Sequence, residues 1–155
     1  MAKLSVLFVC LGNICRSPLA EAAFRQHAEA LGLAVEVASA GTGDWHVGYG
    51  ADPRTIACAA RNAVDLTGHR AQQVTPAHFT QYDHIVALDR QNLRDLMAMA
   101  PHDATAHVSL LLDYVPGRAG ESVADPYRGD DRDFDRTWRD VSAGAVALAA
   151  KLASD

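Results

Sequence analysis

The sequence predicts a single α/β domain, residues 1–155, whose parallel sheet is flanked by helices on both faces. Three observations lead there. Apolar, partly β-branched runs of strand length alternate with helical patterns along the chain, an order that implies right-handed crossovers and a parallel sheet. The first run is apolar at nearly every position rather than at every second one, as suits a strand buried on both faces. A chain of 155 residues, 49% hydrophobic and 21% charged, suits one sizeable core with enough polar surface for solubility.

The first strand is residues 4–9, LSVLFV. After an eight-residue loop, Ser17 and Pro18 suit a helix start: Ser17 can cap free amides, and Pro18 fits a position that needs no N–H partner. Leu19, Ala23, Phe24, His27 and Leu31 then share one face of the helix, and Gly32 is placed to end it. A second strand fits residues 35–39, a glycine-rich loop covers 41–50, and Pro53 opens a helix that runs to about Asn62. Residues 84–88 (HIVAL) read as the third strand, 91–99 as a helix and 107–112 as a short fourth strand. Beyond a polar loop holding Gly117, Gly120 and Gly129, the positions Phe134, Trp138, Val141, Ala145, Leu148 and Leu152 recur every three or four residues, which marks a long amphipathic helix. No internal repeat, linker or low-complexity tract interrupts this order.

Composition narrows the function classes. A formal charge of -5 speaks against a general nucleic-acid binder or an anionic-membrane binder, since either needs a basic face for phosphate contacts. Any phosphate site must then be a local positive spot. The apolar run near the N-terminus is too short to cross a membrane and ends in Cys-Leu-Gly-Asn rather than at a small-residue cleavage site, so the expectation is a cytoplasmic protein. Cys10, Cys15 and Cys58 are too few for a structural zinc site and cannot pair completely, which fits a reducing compartment. No metal is expected: His27, His46, His78, His84, His102 and His107 show no ligand spacing and are assigned no role.

The loop after the first strand, CLGNICRS at residues 10–17, carries the chemistry. Ligands of open α/β sheets sit beyond the carboxyl ends of the strands, often against a helix N-terminus. Between Cys10 and Arg16, the residues Leu11, Gly12, Asn13, Ile14 and Cys15 can curl so that successive N–H groups point inward as an anion nest. Gly12 and Asn13 are the types that best tolerate the positive φ such a curl needs. Arg16 adds a planar, permanent charge able to grip two phosphoryl oxygens. The same positive surroundings favour the thiolate of Cys10, the attacking form of a cysteine. A cysteine at a strand end is ordinarily only a small buried hydrophobe. The strand before and the Pro-started helix after it give this one its weight. A nucleotide P-loop is excluded by the missing Gly-Lys-Ser/Thr ending, and Gly41-Thr42-Gly43 lacks the third glycine of a dinucleotide fingerprint.

Three motifs in order support a family resemblance. VCLGNICRSP at 9–18 resembles the signature of low-molecular-weight protein tyrosine phosphatases, SAGTGDWHVG at 39–48 resembles the loop that walls their active site, and DPY at 125–127 resembles their general-acid loop. The resemblance implies a four-stranded parallel sheet of the phosphotyrosine phosphatase I-like kind and a two-step, cofactor-free hydrolysis of phosphotyrosine. In that scheme Cys10 attacks phosphorus, and Arg16 holds the equatorial oxygens together with the amides of residues 11–17, Ser17 included. Asp125 protonates the leaving oxygen and then activates the water that hydrolyses the phosphocysteine. Alone, Asp125-Pro126 would read as an ordinary turn. Trp45 and Tyr127 would wall a cleft deep enough to prefer an aryl phosphate over phosphoserine.

The resemblance further implies that Ser17, Ser39 and His69 hydrogen-bond Asn13 in a strained conformation, with Asp89 near His69, and that Ser17 also donates to the thiolate. It places the Cys15 sulfur close to that of Cys10, suggesting a reversible disulfide that protects the nucleophile. The partners it implies are phosphotyrosine proteins, a bacterial tyrosine kinase among them, met by a monomer. Two departures stand out. Arg128 replaces a second tyrosine after Tyr127, favouring substrates with acidic neighbours, and Ala71-Gln72-Gln73 stands where an arginine is frequent. The competing readings are a thiol-coupled arsenate reductase of the same fold and an inactive phosphotyrosine-binding module. The first needs late cysteines, which are absent after Cys58. The second needs neither Cys10 nor Asp125.

Overall fold

Strand β1 (Leu4–Cys10) has hydrogen-bonded neighbours on both edges and helices over both faces, so no position in its second half can afford a polar side chain. The computed structural model describes residues 3–155; the first two residues of the expected 1–155 domain lie outside the described residues. The strands β1, β2 (Val35–Gly41), β3 (His84–Ala87) and β4 (His107–Leu110) form one all-parallel sheet in the order β2-β1-β3-β4.

Alternation along β1 divides the core. Val6, Phe8 and Cys10 face α1 (Arg16–Ala30), α2 (Pro53–Arg61) and α5 (Asp131–Ser154), where Phe24, Phe134 and Leu148 are fully buried. Leu7 and Val9 face the other way, onto α3 (His78–Gln81) and α4 (Arg90–Met99), packing with Phe79, Ile85 and Leu96. The Phe8 and Phe24 rings meet tilted at 5.5 Å, joining β1 to α1. Cys10 therefore ends β1 on the α1/α5 side, and the pairing Cys10↔Gly41 brings the end of β2 beside it.

The structure corrects several sequence expectations. Ser17 is not the cap of α1: Cys15 holds the cap position with no side-chain bond, and the Ser17 hydroxyl turns inward instead. Leu31, expected on the buried face, is 54% exposed, because α1 has ended at Ala30 and Gly32 turns the chain at φ 66°. Residues 107–112 split into β4 and a 3₁₀ turn, Leu111–Tyr114, which folds Leu111 and Leu112 under α5. An unbroken apolar run carries no mark of that bend. The one-turn helix α3 is unforeseen too, being too short to show a period. Strand β2 continues two residues past Ser39, to Gly41, and β3 stops one short of Leu88.

Helices α4 and α5 start with capping boxes, Asp89 with Asn92 and Asp130 with Asp133. The loops after β1, β2 and β3 and the N-termini of α1 and α4 gather at the carboxyl edge of the sheet, where the site lies.

Candidate active site

A cavity of about 160 Å³ opens at that edge. Cys10 and Arg16 line its depth with Leu11, Gly12, Ile14 and Cys15, while Trp45, His46, Asp125 and Tyr127 form its sides. The side positions are open to solvent, Trp45 at 66% and Tyr127 at 47%, whereas Cys10 is only 3% exposed.

The curl of residues 10–17 is built by its neighbours. The N–H groups of Thr42 and Gly43, just past β2, donate to the carbonyls of Cys10 and Leu11 at 2.9 Å each, turning those carbonyls away from the cavity. That close passage requires Gly41, since a Cβ there would lie 2.7 Å from the Leu11 carbonyl oxygen. Asn13 adopts φ 58° and is the one residue of the curl with positive φ; Gly12, expected to share that role, does not. At position 12 a Cβ would come 3.0 Å from Cδ2 of the His46 ring, which would have to give way by a few tenths of an ångström.

Four groups hold Asn13. Its Oδ1 accepts from the Gln72 N–H at 3.0 Å, which fixes the amide orientation, and its Nδ2 donates to Ser17 Oγ at 2.8 Å and Ser39 Oγ at 3.0 Å. The Asn13 carbonyl is 2.7 Å from His69 Nε2, so that nitrogen carries the proton and donates. The two serines thus accept from Asn13 rather than donate to it. Ser39 passes its proton on to Glu21 at 2.7 Å. Ser17 Oγ, already accepting from Asn13, sits 3.0 Å from Cys10 Sγ and 3.4 Å from the Ala40 carbonyl, so its proton has either acceptor in reach once Cys10 is a thiolate. The Asn13 N–H also donates to Cys10 Sγ, at 3.3 Å.

Arg16 is 3% exposed and fully committed on one side: its Nη1 donates to Asp89 Oδ2 at 2.6 Å and to the Val123 carbonyl at 3.0 Å. Burial opposes its charge, but Cys10, Asp89 and Asp125 together raise its pKa above the ordinary value, so it is a fixed cation. Nη2 faces Asp125 at 3.6 Å. Asp89, expected near His69, bonds Arg16, and its other oxygen caps α4 through the Asn92 N–H at 2.6 Å. Asp125 is exposed, and its Oδ1 accepts from the Tyr127 N–H at 3.1 Å.

Burial, chiefly, pushes the Cys15 thiol up to about 12. Cys10, Cys15 and Cys58 are all free and buried, and among the described residues no cluster of three or more His, Cys, Asp or Glu side chains could hold a metal ion.

Sequence reasoning missed three contributors. His46 packs over Gly12 on the cavity wall. Gln72 orients the Asn13 amide. Arg54 binds the carbonyls of Tyr127 and Gly129. His46 had a usable signal, one residue from Trp45 in a motif already singled out.

Comparison with known proteins agrees in extent. The family model described as low molecular weight phosphotyrosine protein phosphatase matches residues 5–155. The low molecular weight protein-tyrosine-phosphatase of Streptomyces coelicolor is 47% identical over 152 residues, 95% of this chain and 92% of that protein. The crystal structure of YfkJ from Bacillus subtilis superposes with a TM-score of 0.90 at 38% identity, covering 98% and 96% of the two chains. Vibrio vulnificus Wzb, solved in complex with benzylphosphonate, has a TM-score of 0.84 at 30% identity over 97% of this chain and 99% of that one.

Proposed function

The chain belongs to the low molecular weight phosphotyrosine protein phosphatase family and is a phosphoric monoester hydrolase of that kind; on that premise we propose that it cleaves phosphotyrosine through a phosphocysteine on Cys10, with Asp125 as general acid and then general base. The observation that carries this reading is the placement of the Cys10 sulfur, the buried Arg16 cation and the Asp125 carboxylate around one cavity.

In the first step the Cys10 thiolate attacks phosphorus and the bond to the tyrosyl oxygen breaks. The inward amides of residues 11–17 and the free face of Arg16 bind the equatorial oxygens as charge spreads over them. Ser17 and the Asn13 N–H hold the sulfur on line. Asp125, standing at the open side of the cavity, gives its proton to the departing phenolate. In the second step it takes a proton from water, whose oxygen attacks phosphorus and releases Cys10. Trp45 and Tyr127 flank the aryl ring; the Vibrio relative was solved in complex with benzylphosphonate, a phosphonate that also carries a phenyl ring.

The substrates in this reading are phosphotyrosine proteins, a bacterial tyrosine kinase among them, met in the cytoplasm by a monomer without metal or cofactor. Arg128, exposed beside Tyr127, favours acidic neighbours of the phosphotyrosine. No helix among the described residues is long and apolar enough to cross a membrane. Reversible pairing of Cys10 with Cys15 is part of the proposal: a peroxide oxidises Cys10 to the sulfenic acid, and the Cys15 sulfur then attacks it, forming the disulfide and releasing water; the high pKa of Cys15 makes it a slow resolving thiol. Arsenate reduction through a chain of thiols is disfavoured because Cys58 lies buried against the carbonyl of Phe134.

The test is hydrolysis of an aryl phosphate in the presence of a chelator. Wild type should turn over and Cys10→Ser should not; loss of turnover on chelation, or retention in the variant, rejects the mechanism.

A further inference from the structure

We infer that Arg54 is a positioning residue for the general acid, fastening the loop that carries Asp125 to the loop that binds phosphate; this rests on the reading of Asp125 given above. Residues 124–130 belong to no helix or strand. Their leading end is tied by Val123, whose N–H donates to the Leu88 carbonyl at 2.9 Å, and by Thr137, whose hydroxyl reaches the Ala124 carbonyl at 3.4 Å. The half beyond Asp125 depends on Arg54. Its Nη2 donates to the Tyr127 carbonyl at 2.7 Å and its Nη1 to the Gly129 carbonyl at 3.0 Å. The guanidinium lies over two rings, 4.8 Å from the Phe134 centroid and 5.6 Å from that of Tyr127.

The guanidinium is itself held in place. Asp52 grips it bidentately, Nε to Oδ1 at 3.1 Å and Nη2 to Oδ2 at 3.0 Å. The N–H of Asp52 donates to the Ile14 carbonyl at 3.0 Å, inside the phosphate-binding curl. A continuous path thus runs from Ile14 through Asp52 and Arg54 to Tyr127 and Gly129. It uses four of the five guanidinium donors in a planar fork. Lysine, a point charge, cannot make those bonds together.

The measurement is kcat/KM over a series of aryl phosphates whose leaving phenols span a wide pKa range, for wild type, R54A, R54K, D125A and R54A/D125A. R54A should lose roughly tenfold or more on the poorest leaving groups and little on the best, the direction that loss of general-acid assistance takes. R54K should not restore it. The double variant should lose no more than D125A alone, while inorganic phosphate inhibits R54A as it does wild type. Thermal melting identifies an R54A protein that has not folded, in which case R54K alone carries the test. An equal loss across all leaving groups, full rescue by lysine, or losses that multiply in the double variant overturn the proposal. A flat response of D125A itself would overturn the general-acid reading and this proposal together; a graded D125A beside a flat R54A overturns this proposal alone.

Discussion

The two loops that meet at the cavity are held in opposite ways. Residues 10–17 are braced by β2, α1 and the 69–73 segment, and Asn13 alone is fixed by Ser17, Ser39, His69 and Gln72. Asn13, Arg16 and Ser17 are buried polar residues held by protein partners, with the Nη2 side of Arg16 left toward the cavity. Residues 124–130 lie at the surface, with Asp125 exposed and Tyr127 47% exposed. The difference matches the work proposed for each. A cradle for a transition state acts through dipoles that need no rearrangement, so rigidity serves it. An acid that gives a proton to one molecule and takes one from another must let the first leave and the second enter, so it belongs on a segment that opens.

Substitutions should therefore fall into two classes: those that disturb the scaffold around the curl should lose stability and activity together, whereas those at the reacting groups, Cys10 among them, and in the acid loop should lose activity alone. The largest effect is expected from Cys10→Ser, a fall in kcat of roughly 10⁴-fold or more, the scale on which loss of a nucleophile acts, with an unchanged melting curve. Asp125→Ala should follow, at roughly 10²- to 10⁴-fold on poor leaving groups, again without loss of stability. Gly41→Ala should reduce both, because its Cβ would press on the Leu11 carbonyl at 2.7 Å; overpacking of this kind costs about 1–3 kcal/mol, readable in denaturant unfolding. Equal stability of Gly41→Ala and wild type would erase the contrast between the loops.

A smaller effect concerns pH. The Cys15 pKa rises on folding from its ordinary 9.0 to about 12. The folded state then holds a proton that the unfolded state has released, so this contribution is intact below pH 9.0 and is lost as pH climbs toward about 12. Alkaline melting of wild type should show that loss and Cys15→Ala should lack it. Alkylation near neutral pH should accordingly modify Cys10 and spare Cys15, as peptide mapping would record.

Legibility in the sequence followed the range of each interaction. CLGNICRS and DPY are contiguous, so the residue types that chemistry demands stand next to one another and can be read. The strands were legible because burial on both faces leaves uninterrupted apolar runs. What escaped depends on the sheet bringing distant segments together. Gln72 reaches Asn13 across 59 positions, and Arg54 reaches Tyr127 across 73. Asp89 was singled out, yet its partner proved to be Arg16, because β3 runs beside β1 and delivers the start of α4 to the end of the curl. Where β4 gives way to the 3₁₀ turn was equally hidden, since Leu110, Leu111 and Leu112 are alike in sequence and differ only in which core they enter.

The contact between Gly41 and the Leu11 carbonyl reaches into how the molecule is assembled. Parallel strands find their register without a hairpin to guide them, and a slip of one residue would exchange the two faces of β2. Such a slip would also move Thr42 and Gly43 away from the carbonyls they turn. A chain with its first two strands mispaired would have no phosphate cradle, however complete its helices. Recovery of turnover during refolding should consequently lag recovery of helical signal and keep time with the closing of this one strand pair, making the enzyme a proofreader of its own sheet.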